Sequence, residues 1–378
     1  MTPHIVRLGI AATAVLAAAP PVLAQEIFAV TGTDGTTLTA TATDAFEAPW
    51  AMALLPDGRF LVTEKRGTLV LVSSEGRRLG LIEGTPPAED AGQGGLGDVI
   101  LHPDFASNGL IYLSPVEWEG ERSGAVVYRG RLTLVDDGGT IDGLERIWEQ
   151  TPKGETTRHY SQKMAFGPEG HLFVTSGDRG LQGPAQDRAN TMGTIVRLND
   201  DGTVPEDNPF AGEGGVTAQI WSYGHRNPLG LHLAADGTLW SHEMGPRGGD
   251  ELNRIERGAN YGWPAASDGV NYSGAPIPDH APGDGFTAPA ISWVPAISPA
   301  GLVIYDGDVF ADWRGDALIG GLSSQALIRV DLGGDTAAEA ARYSWDQRIR
   351  EVEQGPDGAL WVLEDGYGGR LIRLTPEG

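Results

Sequence analysis

Cysteine is missing from all 378 residues. No disulfide can staple this chain, so packing must hold it, with bound ions as the available supplement. Basic residues are scarce as well: 27 Lys and Arg face 51 Asp and Glu, a formal charge of −24. Such a balance repels nucleic acid and anionic membrane surfaces, and it offers carboxylates to divalent cations. There is no long helical periodicity, no Gly-x-Gly-x-x-Gly in a strand–helix–strand setting and no Gly-x-Ser-x-Gly elbow. A nicotinamide-binding Rossmann fold and covalent acyl chemistry on a nucleophile elbow are therefore disfavoured. The longest apolar run, Leu8 to Ala19, falls short of the roughly 20 residues needed to span a bilayer.

That run has another reading. Arg7 precedes it, Pro20 and Pro21 end it, and Val22-Leu23-Ala24 follows with small residues suited to a signal peptidase. Residues 1–24 are expected to be a cleaved secretory leader, leaving 25–378 as the mature, periplasmic chain with no membrane insertion.

What recurs in the rest is an apolar stretch, a Pro/Asp/Gly turn and a second apolar stretch. Clear copies lie at Met52–Val62, Met164–Val174, Leu231–Trp240 and Val352–Val362, and looser ones at Val99–Tyr112 and Val303–Ile319. Pro presets φ for the turn, Asp bonds its own backbone, and Gly accepts the positive φ that closes it. Flanking stretches of four to six apolar or alternating residues read as strands. One hairpin cannot bury both faces, so the copies must stack. Six copies predict an all-β, six-bladed β-propeller in one domain; a β-sandwich with fortuitous turns is the alternative. The Gly- and Pro-rich stretches 82–97, 151–158, 178–190 and 264–290 then become long loops between strands, where function concentrates.

Several candidate site residues follow. His159 precedes the strand running into Met164, and Asp178 ends the next one. If the two strands form a hairpin around Pro168-Glu-Gly170, their outer ends return together and a carboxylate sits behind an imidazole, as a general base requires. Arg226 and Asn227, side by side before a Pro, supply several donors at a fixed point. Glu243-Met-Gly245-Pro246-Arg-Gly-Gly-Asp-Glu251 and Asn260-Tyr261-Gly-Trp-Pro264 combine carboxylates with backbone free to turn carbonyls inward, which suits Ca²⁺, although the spacing is no EF-hand. Gln93 lies in a Gly-rich loop that permits close approach to a ligand. Arg348 and Arg350 flank one Ile on an acidic chain and call for an anionic partner. Each also has a bland reading: rim histidine, turn former, loop-satisfying Arg or Asn, solvated acidic loop.

Taken together, Phe46-Glu-Ala-Pro-Trp-Ala-Met52, Trp221–Pro228, Gly245–Glu251, Asn260–Pro264 and Arg348–Gly358 resemble the soluble aldose sugar dehydrogenases of the glucose/sorbosone dehydrogenase family, which use pyrroloquinoline quinone (PQQ). The resemblance covers nearly the whole mature chain. It implies that His159 is the base for the anomeric hydroxyl and Asp178 its orienting carboxylate. It also implies that Gln93 is a polar contact near substrate and cofactor, and that Arg226 and Asn227 grip the quinone oxygens. Arg348 and Arg350 would hold cofactor carboxylates, with Tyr272 a further contact. The carbonyls of Gly245 and Pro246 would ligate a calcium that touches the cofactor, and Glu251 with the Tyr261 carbonyl a second calcium. The implied reaction is oxidation of an aldose to a lactone, electrons leaving to an unidentified acceptor. One departure stands out: many relatives place a Lys where this chain reads Gly321-Leu-Ser323-Ser324, and a hydroxyl brings no charge. Two rival functions stay open, a calcium-dependent lactonase-type hydrolase and a non-catalytic sugar- or protein-binding propeller. The sugar and the oligomeric state, monomer or dimer, are not legible; loops 114–125 and 264–290 are expected to govern sugar choice.

Overall fold

All six repeats become the same piece of structure, the innermost hairpin of a blade. The computed structural model describes residues 26–333 and 337–377; the leader expected at 1–24 lies outside them. Blade one is built from Pro49–Leu54, Phe60–Glu64, Thr68–Val72 and Arg78–Glu83, and blade two from Leu96–Leu101, Leu110–Glu119, Arg122–Val135 and Gly138–Glu149. Blade three comprises Ser161–Phe166, Leu172–Ser176, Thr194–Leu198 and Ile220–Tyr223; blade four comprises Pro228–Leu233, Leu239–Glu243, Asp250–Arg254 and Ile291–Trp293. Blade five has Pro299–Ile304, Ala317–Gly321, Ala326–Asp331 and Ala338–Ser344. The sixth blade takes Ile349–Gln354, Leu360–Glu364 and Tyr367–Pro376 from the C-terminal end, and Thr37–Glu47 and Glu26–Thr31 from the N-terminal end.

The pairing within each blade is antiparallel. Blades one and two are additionally bridged by a short parallel pairing of Gly139 and Thr140 with Ile82 and Glu83. The ring closes because the first strands of all six blades pack side by side, the sixth against the first. Six apolar clusters lie between neighbouring blades, and together they form the core. The cluster between blades five and six shows the pattern: Val303, Tyr305, Leu318 and Leu327 from one side meet Leu38, Val352, Leu360 and Leu374 from the other. Burial of one such Leu contributes on the order of 2 kcal/mol.

Two features of the ring set up the site. The Pro/Asp/Gly turns all lie at one end of the ring, so the entrances of the first strands and the exits of the second strands lie at the other. Every first strand also breaks register near its entrance: Pro49/Met52, Leu96/Val99, Ser161/Met164, Pro228/Gly230, Ala300/Leu302 and Ile349/Glu351. A bulge there sets extra residues against the partner strand and re-aims side chains. Ser161 and Gln162, in the bulge of blade three, have φ of 65° and 77°, a strained region for residues with a Cβ. One expected loop is absent: residues 114–125 are the ends of two long paired strands and their tight turn, Val116 facing Ala125 and Glu119 facing Arg122.

Candidate functional site

The entrance–exit rule accounts for nearly every site residue. His159, Arg226, Asn227, Arg348 and Arg350 stand at entrances of first strands; Asp178, Met244 and Asp365 follow exits of second strands. Two adjoining cavities open at this end of the ring. One, of about 410 Å³, is lined by Trp50, Lys65, Gln93, Asn227, Arg348 and Arg350, among others. Its neighbour, of about 250 Å³, is lined by His159, Asp178, Arg226, Pro246, Trp263 and Tyr272.

His159 and Asp178 do meet. The imidazole Nδ1 lies 2.6 Å from Asp178 Oδ1. Gly177 permits this approach, since a Cβ there would fall 2.2 Å from the His159 carbonyl oxygen. Asp178 is fully buried, and it also accepts from Gly180 N at 2.6 Å, Trp263 Nε1 at 2.8 Å and Gln182 N at 3.3 Å. A carboxylate so placed can only accept, so His159 Nδ1 carries the proton and Nε2 keeps its lone pair. Burial pulls the imidazole below its ordinary pKa, and Arg226 and Arg158 add to that; Asp178 opposes it. Its donors and the His159 contact hold the Asp178 carboxyl below the usual value despite burial. The ring is therefore a neutral acceptor at neutral pH.

Arg226 is fixed from three sides. Its backbone N–H donates to the Glu243 carboxylate, and its guanidinium donates to the Met244 carbonyl at 2.9 Å and the Tyr272 hydroxyl at 3.2 Å. The Trp263 ring lies 5.3 Å away. Asn227 Oδ1 accepts from Ser161 Oγ at 3.2 Å. Gln93 lines the large cavity, yet its side-chain oxygen accepts from the His159 backbone N–H at 2.7 Å. Besides facing the cavity, it fixes the backbone of His159. Arg348 and Arg350 have found an anion within the chain: both donate to Asp365, at 2.7 and 2.8 Å.

Gly245 donates its N–H to Asp250 at 2.8 Å, and among the described residues no backbone N–H donates to its carbonyl or to that of Pro246. Glu251 is buried beside Glu243, with Asn253 donating to both carboxylates, while Asn253 Oδ1 is left without a partner. Burial raises the Glu251 carboxyl to about 6. That corner is rich in acceptors, and among the described residues two histidines stand against it, His225 2.8 Å from Glu243 and His280 3.7 Å from Glu251. Among the described residues no group of three or more His, Cys, Asp or Glu side chains is arranged to hold a metal; the proposed donor sets rely on carbonyl oxygens.

Ser323 does not line the cavity. Its hydroxyl donates to the Ala296 carbonyl at 3.2 Å, and Leu322 faces the space instead. Sequence reasoning missed Trp50, Lys65, Asp90, Trp263 and Asp365. Asp365 alone left a readable sign, lying where the strand after Val352–Val362 must end, opposite the paired arginines.

Residues 46–373 match the family model described as Glucose / Sorbosone dehydrogenase. The chain belongs to that family. It is 39% identical over 341 residues to aldose sugar dehydrogenase YliI of Escherichia coli strain K12, covering 88% of this chain and 91% of that one. The solved apo form of the soluble aldose sugar dehydrogenase from Escherichia coli superposes with a TM-score of 0.85 at 38% identity, over 90% of this chain and all of that one. The PQQ-bound aldose sugar dehydrogenase of Streptomyces coelicolor gives 0.73 at 28% identity, over 95% of this chain and all of that one.

Proposed function

We propose that this family member oxidises aldoses at C1, with PQQ as the electron acceptor, calcium beside it, and His159 as the general base. The observation that carries the reading is the juxtaposition of two cavities, one holding a neutral imidazole braced by a buried carboxylate, the other walled by an aromatic ring and paired arginines.

The residues suit the cofactor. PQQ is a flat aromatic tricarboxylate; the larger cavity offers the Trp50 ring, the Arg348 and Arg350 guanidiniums and the Asn227 amide. Arg226 and Tyr272 line the smaller cavity, and Arg226 donates to the carbonyl of Met244, which lines the larger one. The carbonyls of Gly245 and Pro246 would hold one calcium, and Glu251 with the Tyr261 carbonyl another, in hard-oxygen surroundings that suit this ion. When bound, PQQ supplies a two-electron acceptor for the C1 hydride, and calcium adds positive charge at its oxygens.

The protein's own part follows from the geometry. The C1 hydroxyl gives its proton to His159 Nε2, and Asp178 steadies the imidazolium that results. The Arg226 guanidinium, locked by Met244 and Tyr272, would offset the negative charge that the hydride carries to its acceptor; fixed charge of this kind is usually the largest catalytic contribution. Loss of one proton and one hydride from the sugar leaves the lactone. The N-terminal composition supports export as a cleaved precursor and work in the periplasm.

The test is reconstitution. Metal-stripped, cofactor-free protein given PQQ and Ca²⁺ should bleach an electron-accepting dye only when an aldose is present. Lactone hydrolysis without PQQ would replace this reading with that of a hydrolase, and silence in both assays with that of a binding protein.

A further inference from the structure

The residue just past the second strand faces the larger cavity in four blades: Lys65, Met244, Leu322 and Asp365. Lys65 is the cation of the set. Its ammonium lies 2.9 Å from Asp90 and donates to the Gly92 carbonyl at 3.1 Å. It also sits 5.9 Å from the centroid of the Trp50 ring, and the Arg350 guanidinium lies 4.3 Å from that same centroid. Two cations from different blades thus converge on one aromatic ring inside the cavity, and Trp50 itself is packed against Leu229 from across the ring of blades.

The charges make the arrangement informative. Lys65, Arg348 and Arg350 face only Asp90 and Asp365 among the lining carboxylates. Each carboxylate is shared, Asp90 with the Tyr367 hydroxyl at 3.2 Å and Asp365 between two arginines. A multiply anionic aromatic ligand would relieve the surplus of positive charge.

We infer that Lys65 is a cofactor-anchoring residue: its ammonium leaves Asp90 to pair with a carboxylate of PQQ, supplying from blade one a cation beside Arg348 and Arg350 of blade six. This rests on the cofactor reading above. No bond is made or broken in the exchange; one ion pair replaces another beside the Trp50 face, where a charge-assisted contact is stronger than in open water.

The experiment is a calorimetric titration of metal-replete protein with PQQ, alongside the thermal midpoint of each unliganded variant. Failure of the wild type to bind PQQ would defeat the cofactor reading itself. Given wild-type binding, Lys65→Met should weaken it by about tenfold, the usual worth of one charge-assisted contact, and Lys65→Arg should stay within about threefold. Asp90→Asn, which frees the ammonium, should tighten binding, and it decides the matter if Lys65→Met does not fold. A Lys65→Met titration that superimposes on the wild type would overturn the inference. So would equal losses in the Met and Arg variants with a lowered midpoint, or weaker binding in Asp90→Asn.

Discussion

Replacing Asp178 with Asn removes one charge and adds one hydrogen-bond donor at a site where all four neighbours donate. Oδ1 receives His159 Nδ1 and Gly180 N; Oδ2 receives Trp263 Nε1 and Gln182 N. If the new amide group faces His159, the imidazole must flip its tautomer, and Nε2 becomes a donor unable to take the sugar's proton. If it faces Trp263, the tautomer survives but two buried donors confront each other, at a cost of about 1–3 kcal/mol. In both orientations the imidazolium loses its counter-charge. Loss of tautomer and charge together predicts a fall in kcat of about 10³-fold, or about 4 kcal/mol of barrier, with PQQ binding within twofold of the wild type. The acid limb of kcat/KM should also move to lower pH, because Asp178 raises a pKa that burial, Arg226 and Arg158 lower. Steady-state dye reduction from pH 4.5 to 8, with a parallel PQQ titration, measures all three. A variant retaining a third of wild-type turnover, with its acid limb unmoved, would refute the dyad.

Arg348→Ala should weaken PQQ binding about tenfold in the same titration, and an unchanged curve would remove it from the cofactor site. Asp316, on the turn side of blade five, is raised by burial to about 6 from 3.8, net of the attraction of Arg329. Its folded-state pKa lies above the unfolded one, so the penalty is complete above pH 6 and gone below about pH 4. Asp316→Asn should therefore stabilise the protein by about 1–2 kcal/mol at pH 7.5 in urea unfolding, with no gain at pH 4. Chelation of divalent ions should lower the thermal midpoint and calcium restore it, and Glu251→Gln should shrink the calcium-dependent rise.

The propeller was readable because the Pro/Asp/Gly turns mark six hairpins, and a hairpin's register follows from its turn. The same logic carried His159 to Asp178: their separation in sequence is the length of one hairpin. Outer strands were harder. Residues 114–125 look like loop in composition, yet Leu110–Glu119 and Arg122–Val135 pair almost to their tips. Trp50 was given no role by itself, because only a bulge, invisible in the alternation of side chains, turns it toward the cavity. Lys65, Asp90 and Trp263 reach the site across blades, and their proximity depends on ring closure. Arg348 and Arg350 were expected to face an anion; Asp365 supplies one within the chain, and its place at the end of the hairpin's second strand was the only sign of it.

The closure of blade six has a consequence for assembly. Thr37–Glu47 hydrogen-bonds along Tyr367–Pro376, so an early strand waits for one made much later before their facing edges are covered. Arg348, Arg350 and Asp365 belong to that same blade, and the blade with which they help to wall the mouth is not closed until those two strands join. Loading of any ligand there is thus deferred until Tyr367–Pro376 has been made, and a chain that stops short of that strand loses its grip on the ligand together with its seam.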